Sequence, residues 1–564
     1  MGFRRIAQSV CLLLFLALLA GAGSIREADL FVRMDPALAG LTAVSARSWT
    51  WLFLPALIVF GTALFCGRIF CGYICPMGTT VDASDSIVAR RCSKTSPPPH
   101  WLSRRLSRHL LVFLFASAAA GVSMVFWAAP LALVTRFYGL VLYPVAELLA
   151  SQGLALFYPL ASLLDIRSIM FAELDPARFA TQFFVLGIFG LIFAAGLITP
   201  RFWCRYLCPA GAILELAATR PLIRRRVNDA CNQCGLCAKN CPMGAIDPVH
   251  PEYTDHGACI ACRTCQSVCP QEAVAFGCRP LAAAAEEKKN KSPEAGAAPP
   301  SPARRKFLLS AAAGAGTAAL SLSSLRAVTG EEARGRVAAP RLIRPPGALP
   351  EAAFLASCVR CGECMAACPT NTLQPIWFAA GFAGMFSPAI TPERKYCDPR
   401  CTVCGKVCPT GAIRALSAKE RIWAKTGTAV IMRQKCLAWE HKKSCMVCDE
   451  VCPYDAVEFE KKPEFPYPVP HVKEERCAGC GYCEHYCPVT NEAAIVITPM
   501  NELRLESGSY RETGRIRGSK LSLRPPSESL KPRTYPRTYP KANGAAAPAT
   551  DSGGMAPGFD KGYE

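Results

Sequence analysis

Long apolar runs dominate the first 200 residues. Runs at 6–23, 49–66, 110–129 and 181–199 each approach the ~20 residues that cross about 30 Å of hydrocarbon as a helix. The first follows Arg4 and Arg5 and lacks a small-residue cleavage site behind it, so it reads as a membrane helix and not as a leader. Residues 131–164 are apolar too, but Arg136, Pro144, Glu147 and Pro159 interrupt them, and interfacial, re-entrant and hairpin arrangements all stay open. Basic residues collect after the second run (Arg90, Arg91, Lys94, Arg104, Arg105, Arg108) and after the fourth (Arg201, Arg205, Arg220, Arg224 to Arg226). The segments after the first and third carry Glu27, Asp29, Asp165, Glu173 and Asp175. Lysine and arginine bias then predicts four spans, with both ends of this region in the cytoplasm.

From residue 228 the pattern changes to short polar segments punctuated by cysteine. Cys231, Cys234, Cys237 and Cys241 end on Pro242, and Cys259, Cys262, Cys265 and Cys269 repeat the phrase up to Pro270. Cys358, Cys361, Cys364 and Cys368 keep the spacing, as do Cys477, Cys480, Cys483 and Cys487. Cys397, Cys401, Cys404 and Cys408 have one extra residue in the first gap, and Cys436, Cys445, Cys448 and Cys452 a first gap of eight. Three close cysteines wrap a cubic iron–sulfur cluster, and the fourth, ahead of proline, usually ligates the neighbouring one. The six quartets use 24 of the 32 cysteines and predict six 4Fe–4S clusters. Zinc would call for paired CxxC knuckles on separate hairpins, and disulfides for scattered cysteines. Sequential and nested sharing of clusters among the last four quartets both fit.

Short extended segments follow the quartets, at 412–413, 456–457 and 494–496. The expected fold class is therefore a multidomain membrane protein: an N-terminal α-helical transmembrane bundle plus α+β bacterial-ferredoxin-like 4Fe–4S domains. The expected divisions are a helical domain at 1–227, a two-cluster domain at 228–278 and a linker at 279–303. A twin-arginine-like segment at 304–329 and a second linker at 330–349 follow. A four-cluster domain at 350–498 and a disordered tail at 499–564 complete the chain.

The cytoplasmic ends of the second and fourth runs carry matching CxxxCP motifs, Cys71 to Cys75-Pro76 and Cys204 to Cys208-Pro209. A helix would put each pair of thiols on one face. Two such pairs at equal depth would form a four-thiolate site that holds a metal or cycles between dithiol and disulfide; cysteines packed in a helix interface are the plainer alternative. Arg304-Arg305 before an Ala/Gly/Ser-rich stretch resembles a Tat export signal, but without a cleavage site behind it an uncleaved fifth anchor fits better.

Mean hydropathy of +0.20 follows from the apolar runs. The formal charge of +20 comes from residues that flank those runs or lie in the tail, which argues against nucleic acid as a partner. Of seven histidines, His109 alone touches a run, so no b-type haem is expected, since bis-imidazole ligation needs paired histidines.

Residues 1–278, with four runs, twin CxxxCP motifs and two quartets, resemble the NapH-type membrane ferredoxins, whose relatives include NosR-, CcoG- and MauN-like proteins. Residues 301–498 resemble the NapG and MauM ferredoxins, which are periplasmic. The resemblance implies a fused quinol dehydrogenase module in a bacterial inner membrane. It would take electrons from the quinone pool and pass them to a periplasmic reductase or cytochrome. The first ferredoxin domain would then be cytoplasmic and the second periplasmic. The family's membrane motif maps onto Cys71, Cys75, Cys204 and Cys208, with a relay or metal-binding role. The alternative is a maturation factor that supplies electrons or handles metal for a respiratory metalloenzyme.

Overall fold

The computed structural model describes residues 2–22, 27–89, 105–163, 176–278, 302–329 and 341–525. Residues 279–301 of the first linker and 330–340 of the second, Arg90, Arg91, Lys94 and Arg104, the acids at 165, 173 and 175, and the tail from 526 lie outside the described residues.

An apolar helical layer is built from Gly2–Ala20, Pro36–Ala46, Leu54–Cys66, Arg105–Ala119, Gln182–Ala195 and the helix that starts at Pro130. Its interior holds Phe15, Leu38, Leu114, Phe126, Val134 and Phe189, with Phe137 stacked on Phe189 at 4.1 Å. Among the described residues two helices are long and apolar enough to cross a membrane, Gly2–Ala20 and Pro130–Tyr158. Trp51–Cys66 and Gln182–Ala195 are apolar but shorter.

Residues 131–163, the described part of the interrupted stretch, thus follow one helical path and not a hairpin. Its interruptions are absorbed locally. The Arg136 guanidinium donates to the carbonyls of Ala132 and Phe126 and lies over the Phe386 ring. Tyr138–Leu142 forms a π turn, and the Glu147 carboxylate accepts from Ala177 N at 3.2 Å. Pro36–Ala46 was not anticipated. Asp35 caps it by accepting from the N–H groups of Ala37 and Leu38 at 2.9 and 3.2 Å, with proline in the first turn.

Pro302–Thr329, the twin-arginine segment, is a single helix packed along Arg105–Ala119. Gly314 makes the approach: a Cβ there would collide with the Phe113 carbonyl oxygen. Ala318 and Ser321 are buried as well.

Beyond the helices the same small unit appears three times. In the first, Ile223–Val227 precedes one quartet and pairs antiparallel with Val274–Cys278 after the next, and an Ile246–Thr254 bridge lies between. In the second, the outer pairing is an Ala348–Ile413 bridge and the inner ribbon is Leu373–Pro375 with Pro388–Ile390. In the third, Thr428–Ile431 pairs with Ile495–Thr498 around Val457–Glu460 with Val469–Val472. Each outer pairing closes around two consecutive quartets.

The units meet the helical layer at two places. Gly72 lies so close to the first unit that a Cβ would stand 2.6 Å from Ile260 O, and the Tyr73 hydroxyl donates to Ala261 O at 3.0 Å. Arg4, near the start of Gly2–Ala20, donates to Gly72 O. At the other end of that helix, Leu19 packs near Gly139, against which Ala366 of the second unit is also set. Arg4 to Leu19 is about 23 Å of helix at 1.5 Å per residue.

Two expected loose segments are ordered. Residues 341–349 strap the last four quartets together: Arg341 pairs with Glu484 at 2.7 Å, and Arg344 with Glu351 at 2.5 Å. Residues 499–525 belong to the fold as well, because a few side chains in that polar stretch are buried. Tyr510 and Leu503 pack with Ala424, Arg504 bridges Glu351 and Glu502, and Tyr510–Ile516 is a helix capped by Ser509.

Candidate iron–sulfur sites

Each ferredoxin-like unit brings three cysteines of one quartet to the last cysteine of its neighbour. Cys259, Cys262 and Cys265 line one cavity with Cys241. Cys477, Cys480 and Cys483 share one with Cys452, and Cys436, Cys445 and Cys448 share one with Cys487. Cys408 stands within electrostatic reach of Cys358, Cys361 and Cys364, as Cys368 does for Cys397, Cys401 and Cys404. Cys231 stands beside Cys237, which packs in one cluster with Cys269; Cys234 is the exposed member of that quartet. The pairing is therefore sequential, as the outer strand pairings require.

The loops are shaped to turn N–H groups toward sulfur. In the four CxxC quartets the residue before the second cysteine is left-handed: Gln233, Ala261, Arg360 and Gly479. The residue after it is left-handed too, at Gly235, Arg263, Gly362 and Gly481. Such alternation makes the backbone nest found at anionic and iron–sulfur sites. At Gly481 (φ 86°) glycine is doubly required, since a Cβ would lie 2.9 Å from that of Pro392.

Backbone donors reach the proline-linked cysteines after the turn. The N–H groups of Ala245, Ala456 and Ala494 donate to Cys241, Cys452 and Cys487 Sγ at 3.3 Å, and Ile413 N to Cys408 Sγ at 3.4 Å. Two buried arginines add charge-assisted bonds, Arg421 to Cys397 Sγ at 3.1 Å and Arg225 to Cys237 Sγ at 3.4 Å. Hydrogen bonds to sulfur of this kind tune cluster potentials.

Burial pushes the thiols up: Cys259 and Cys397 to about 11, the latter against the opposing charge of Arg421, and Cys265 to about 12. Cys364, Cys480 and Cys483 are driven well above the usual range by the same desolvation. Metal-bound thiolates would relieve that penalty, so loading such a site releases protons. Among the described residues no three Cys, His, Asp or Glu side chains converge on one point as a single ion would require. A cubane contacts its ligands through four separate irons and tolerates a wider ring.

The two CxxxCP motifs meet inside the helical layer. Cys75 and Cys208 are buried in its core, with Cys71 and Cys204 packed against them and against Met243 and Ile260 of the first unit. The local backbone is a π turn and not the regular α-helix expected: Phe70–Ile74 and Trp203–Leu207 close with Cys75 N to Phe70 O and Cys208 N to Trp203 O, both at 3.0 Å. Pro76–Ala89 and Pro209–Ala217 then begin on the prolines, and Cys208 Sγ caps the second by accepting from Gly211 N at 3.2 Å.

The repeated phrase is longer than CxxxCP. Arg68 and Arg201 each stand three residues before a first cysteine, and Gly78 and Gly211 three residues after a second. They interlock crosswise. A Cβ at Gly211 would lie 2.7 Å from Arg68 Nη2, and one at Gly78 would lie 3.7 Å from Arg201 Nη2. Both arginines are buried. Arg201 is held by Asp82 at 2.5 and 2.6 Å and by the Cys71 carbonyl at 3.2 Å. The spacing R-x-x-C-x-x-x-C-P-x-G is visible in the sequence, where Arg201 reads only as part of the basic bias and Arg68, Gly78 and Gly211 carry no role.

Fold and cysteine geometry together define a 4Fe–4S polyferredoxin of the electron-transfer class. A family model for a 4Fe–4S binding domain matches residues 48–95, 181–228 and 399–426, and a second of that description matches 355–374. Two models for 4Fe–4S dicluster domains match 230–274 and 443–491. The first of these models matches both CxxxCP segments.

Among curated proteins the chain is 34% identical over 194 residues to the ferredoxin-type protein NapG of Escherichia coli (strain K12), covering 31% of this chain and 79% of that one. It is 38% identical over 190 residues to the methylamine utilization ferredoxin-type protein MauM of Paracoccus denitrificans (strain Pd 1222), covering 32% and 82%. The MauM of Methylorubrum extorquens is 36% identical over 185 residues, covering 31% and 80%. The chain belongs to the NapG/MauM family of ferredoxin-type proteins.

Proposed function

We propose that this chain oxidises membrane quinol and carries the electrons through six 4Fe–4S clusters to a periplasmic redox partner. The carrying observation is the arrangement of the parts: one ferredoxin unit at the start of helix Gly2–Ala20, a second at its far end with the third joined to it, and the paired CxxxCP motifs in the layer. Side chains exposed on the helices support a lipid-facing belt, among them Ile6, Leu13, Ile58, Leu64, Leu149, Leu156, Phe183 and Leu191.

On this reading the ligand sets are Cys231, Cys234 and Cys237 with Cys269, then Cys259, Cys262 and Cys265 with Cys241. Cys358, Cys361 and Cys364 join Cys408, and Cys397, Cys401 and Cys404 join Cys368. Cys477, Cys480 and Cys483 join Cys452, and Cys436, Cys445 and Cys448 join Cys487. The last four clusters follow that spatial order. Cys480 stands within electrostatic reach of Cys397, and the Cys397 N–H donates to Cys480 O at 2.8 Å.

Cys71, Cys75, Cys204 and Cys208 form the relay between the first unit and the rest. Arg201 is already balanced by Asp82, but the buried Arg68, which faces Cys71 and Cys208, suits an anionic metal–thiolate centre better than an uncharged disulfide. Pro302–Thr329 stays attached as a further helix of the layer, in keeping with its packing on Arg105–Ala119. The linked halves then act at high effective concentration.

The test is anaerobic reduction by quinol of the purified protein in liposomes, with iron content and EPR signals as readouts. Close to 24 irons, four per cluster, and quinol-driven reduction are expected. Zinc in place of iron would end the scheme. A double substitution Cys71→Ser with Cys204→Ser separates two functions. A partner enzyme built but unreduced supports electron transfer, and a partner lacking its metal centre supports a maturation role.

A further inference from the structure

We propose that the quinol docks in a groove between helix Gly2–Ala20 and the first ferredoxin unit, an inference that rests on the quinol reading above. The groove encloses about 500 Å³ and is lined by Phe3, Ile69, Tyr73, Cys262, Arg263 and Phe276 among others. That volume falls within the range of about 300–1,000 Å³ usual for small-molecule sites.

Its two walls differ in the way an amphipathic redox ligand requires. On one side Phe3 is 79% exposed, and Ile6 and Val10 continue from it at helical spacing, 64% and 58% exposed. This stripe leads an isoprenoid tail from lipid into the groove. On the other side stands Cys262, a ligand of the cluster that Cys241, Cys259 and Cys265 complete. A headgroup bound here lies against a cluster ligand without an intervening element.

Polar groups sit where a headgroup needs them. The Tyr73 hydroxyl, which donates its proton to Ala261 O at 3.0 Å, keeps a lone pair to accept a bond from a phenolic O–H. Arg263, held left-handed with its guanidinium 6.0 Å from the Phe276 ring centroid, supplies N–H donors at the same edge for the carbonyl of the product. Tyr73 also belongs to the π turn between Cys71 and Cys75, so the groove and the thiol relay share one short segment.

The chemistry balances without a further reactant. Quinol loses two electrons and two protons to become quinone. A cluster held by Cys241, Cys259, Cys262 and Cys265 would accept the two electrons singly and pass each to the neighbouring cluster, and both protons leave to water at the open mouth of the groove.

The experiment uses the full chain in liposomes under anaerobic conditions. Decylubiquinol and a short-chain menaquinol are the probes, and bleaching of cluster absorbance is the readout. Ile69→Trp fills the groove from the half-buried wall and Phe3→Trp from the exposed one, where folding is not at risk. Both are expected to slow quinol-dependent bleaching about tenfold or more while dithionite still bleaches the wild-type amount, and Tyr73→Phe to raise the apparent KM about threefold. Wild-type rates in both Trp variants would overturn the groove, leaving it a lipid-filled crevice with the quinol reading intact. If neither quinol bleaches the wild-type protein, the quinol reading falls and the groove with it.

Discussion

Replacing Arg421 by Met should lower the potential of the cluster assigned to Cys397, Cys401, Cys404 and Cys368. Arg421 is buried, with one Nη2–H donating to Cys397 Sγ at 3.1 Å and further bonds to the carbonyls of Cys401 and Asp398, each at 3.0 Å. Its neighbour Tyr454 faces Cys480 and Cys477, so the guanidinium sits between two clusters of the wire. A cluster held by Cys397 would be centred roughly 6 Å from that charge, and reduction would add one electron to it. With an effective dielectric of about 20, the lost attraction is about 3 kcal/mol, or on the order of 100 mV for a one-electron couple. Arg421→Lys keeps the charge but not the planar fork, and should shift the potential by less than half as much. The assay is an EPR-monitored redox titration of the full chain, with iron measured alongside. An unchanged midpoint in Arg421→Met at full iron content would refute the electrostatic role. A lost cluster would show that the arginine is structural.

Crosswise ligation predicts that Cys408→Ser perturbs the cluster of Cys358, Cys361 and Cys364 and leaves that of Cys397, Cys401 and Cys404 in place, which EPR of the single variants can read. Gly314→Leu should part the helix Pro302–Thr329 from Arg105–Ala119 and cost about 1–3 kcal/mol by overpacking, seen as earlier thermal unfolding in detergent; an unaltered profile would argue that the two helices do not pack in solution. Ending the chain after residue 498 removes the buried Tyr510 and the Arg504 bridges. It should lower stability by at least the ~1.5–3 kcal/mol of one large buried side chain, measured as a fall in the temperature at which cluster absorbance is lost.

The quartets were legible because iron ligation imposes a local spacing that no helix or strand pattern produces by chance. Their pairing was not, since it is decided by strands far apart in sequence, such as Thr428–Ile431 with Ile495–Thr498. The helix from Pro130 was hidden by Arg136, whose charge looks incompatible with an apolar core. Its donors meet two carbonyls and its plane lies over Phe386 from another part of the chain, which hydropathy cannot register. The expected disorder failed over 499–525 for a related reason. Composition averages over a stretch, whereas Leu503, Tyr510 and Leu521 each find a buried position. At the CxxxCP motifs the repetition was plain, but the roles of Arg68 and Arg201 depend on each reaching the glycine of the other copy.

The decisive measurement is the sidedness of the two ferredoxin regions. One reporter placed after residue 278 and another at the C-terminus, compared for protease access in spheroplasts with intact clusters, would read it. The first is predicted to be protected and the second cleaved, which puts the apolar layer and its four thiols between an inner and an outer set of clusters. Protection of both reporters would contradict a conduit across the membrane and leave a chain whose clusters all face the cytoplasm.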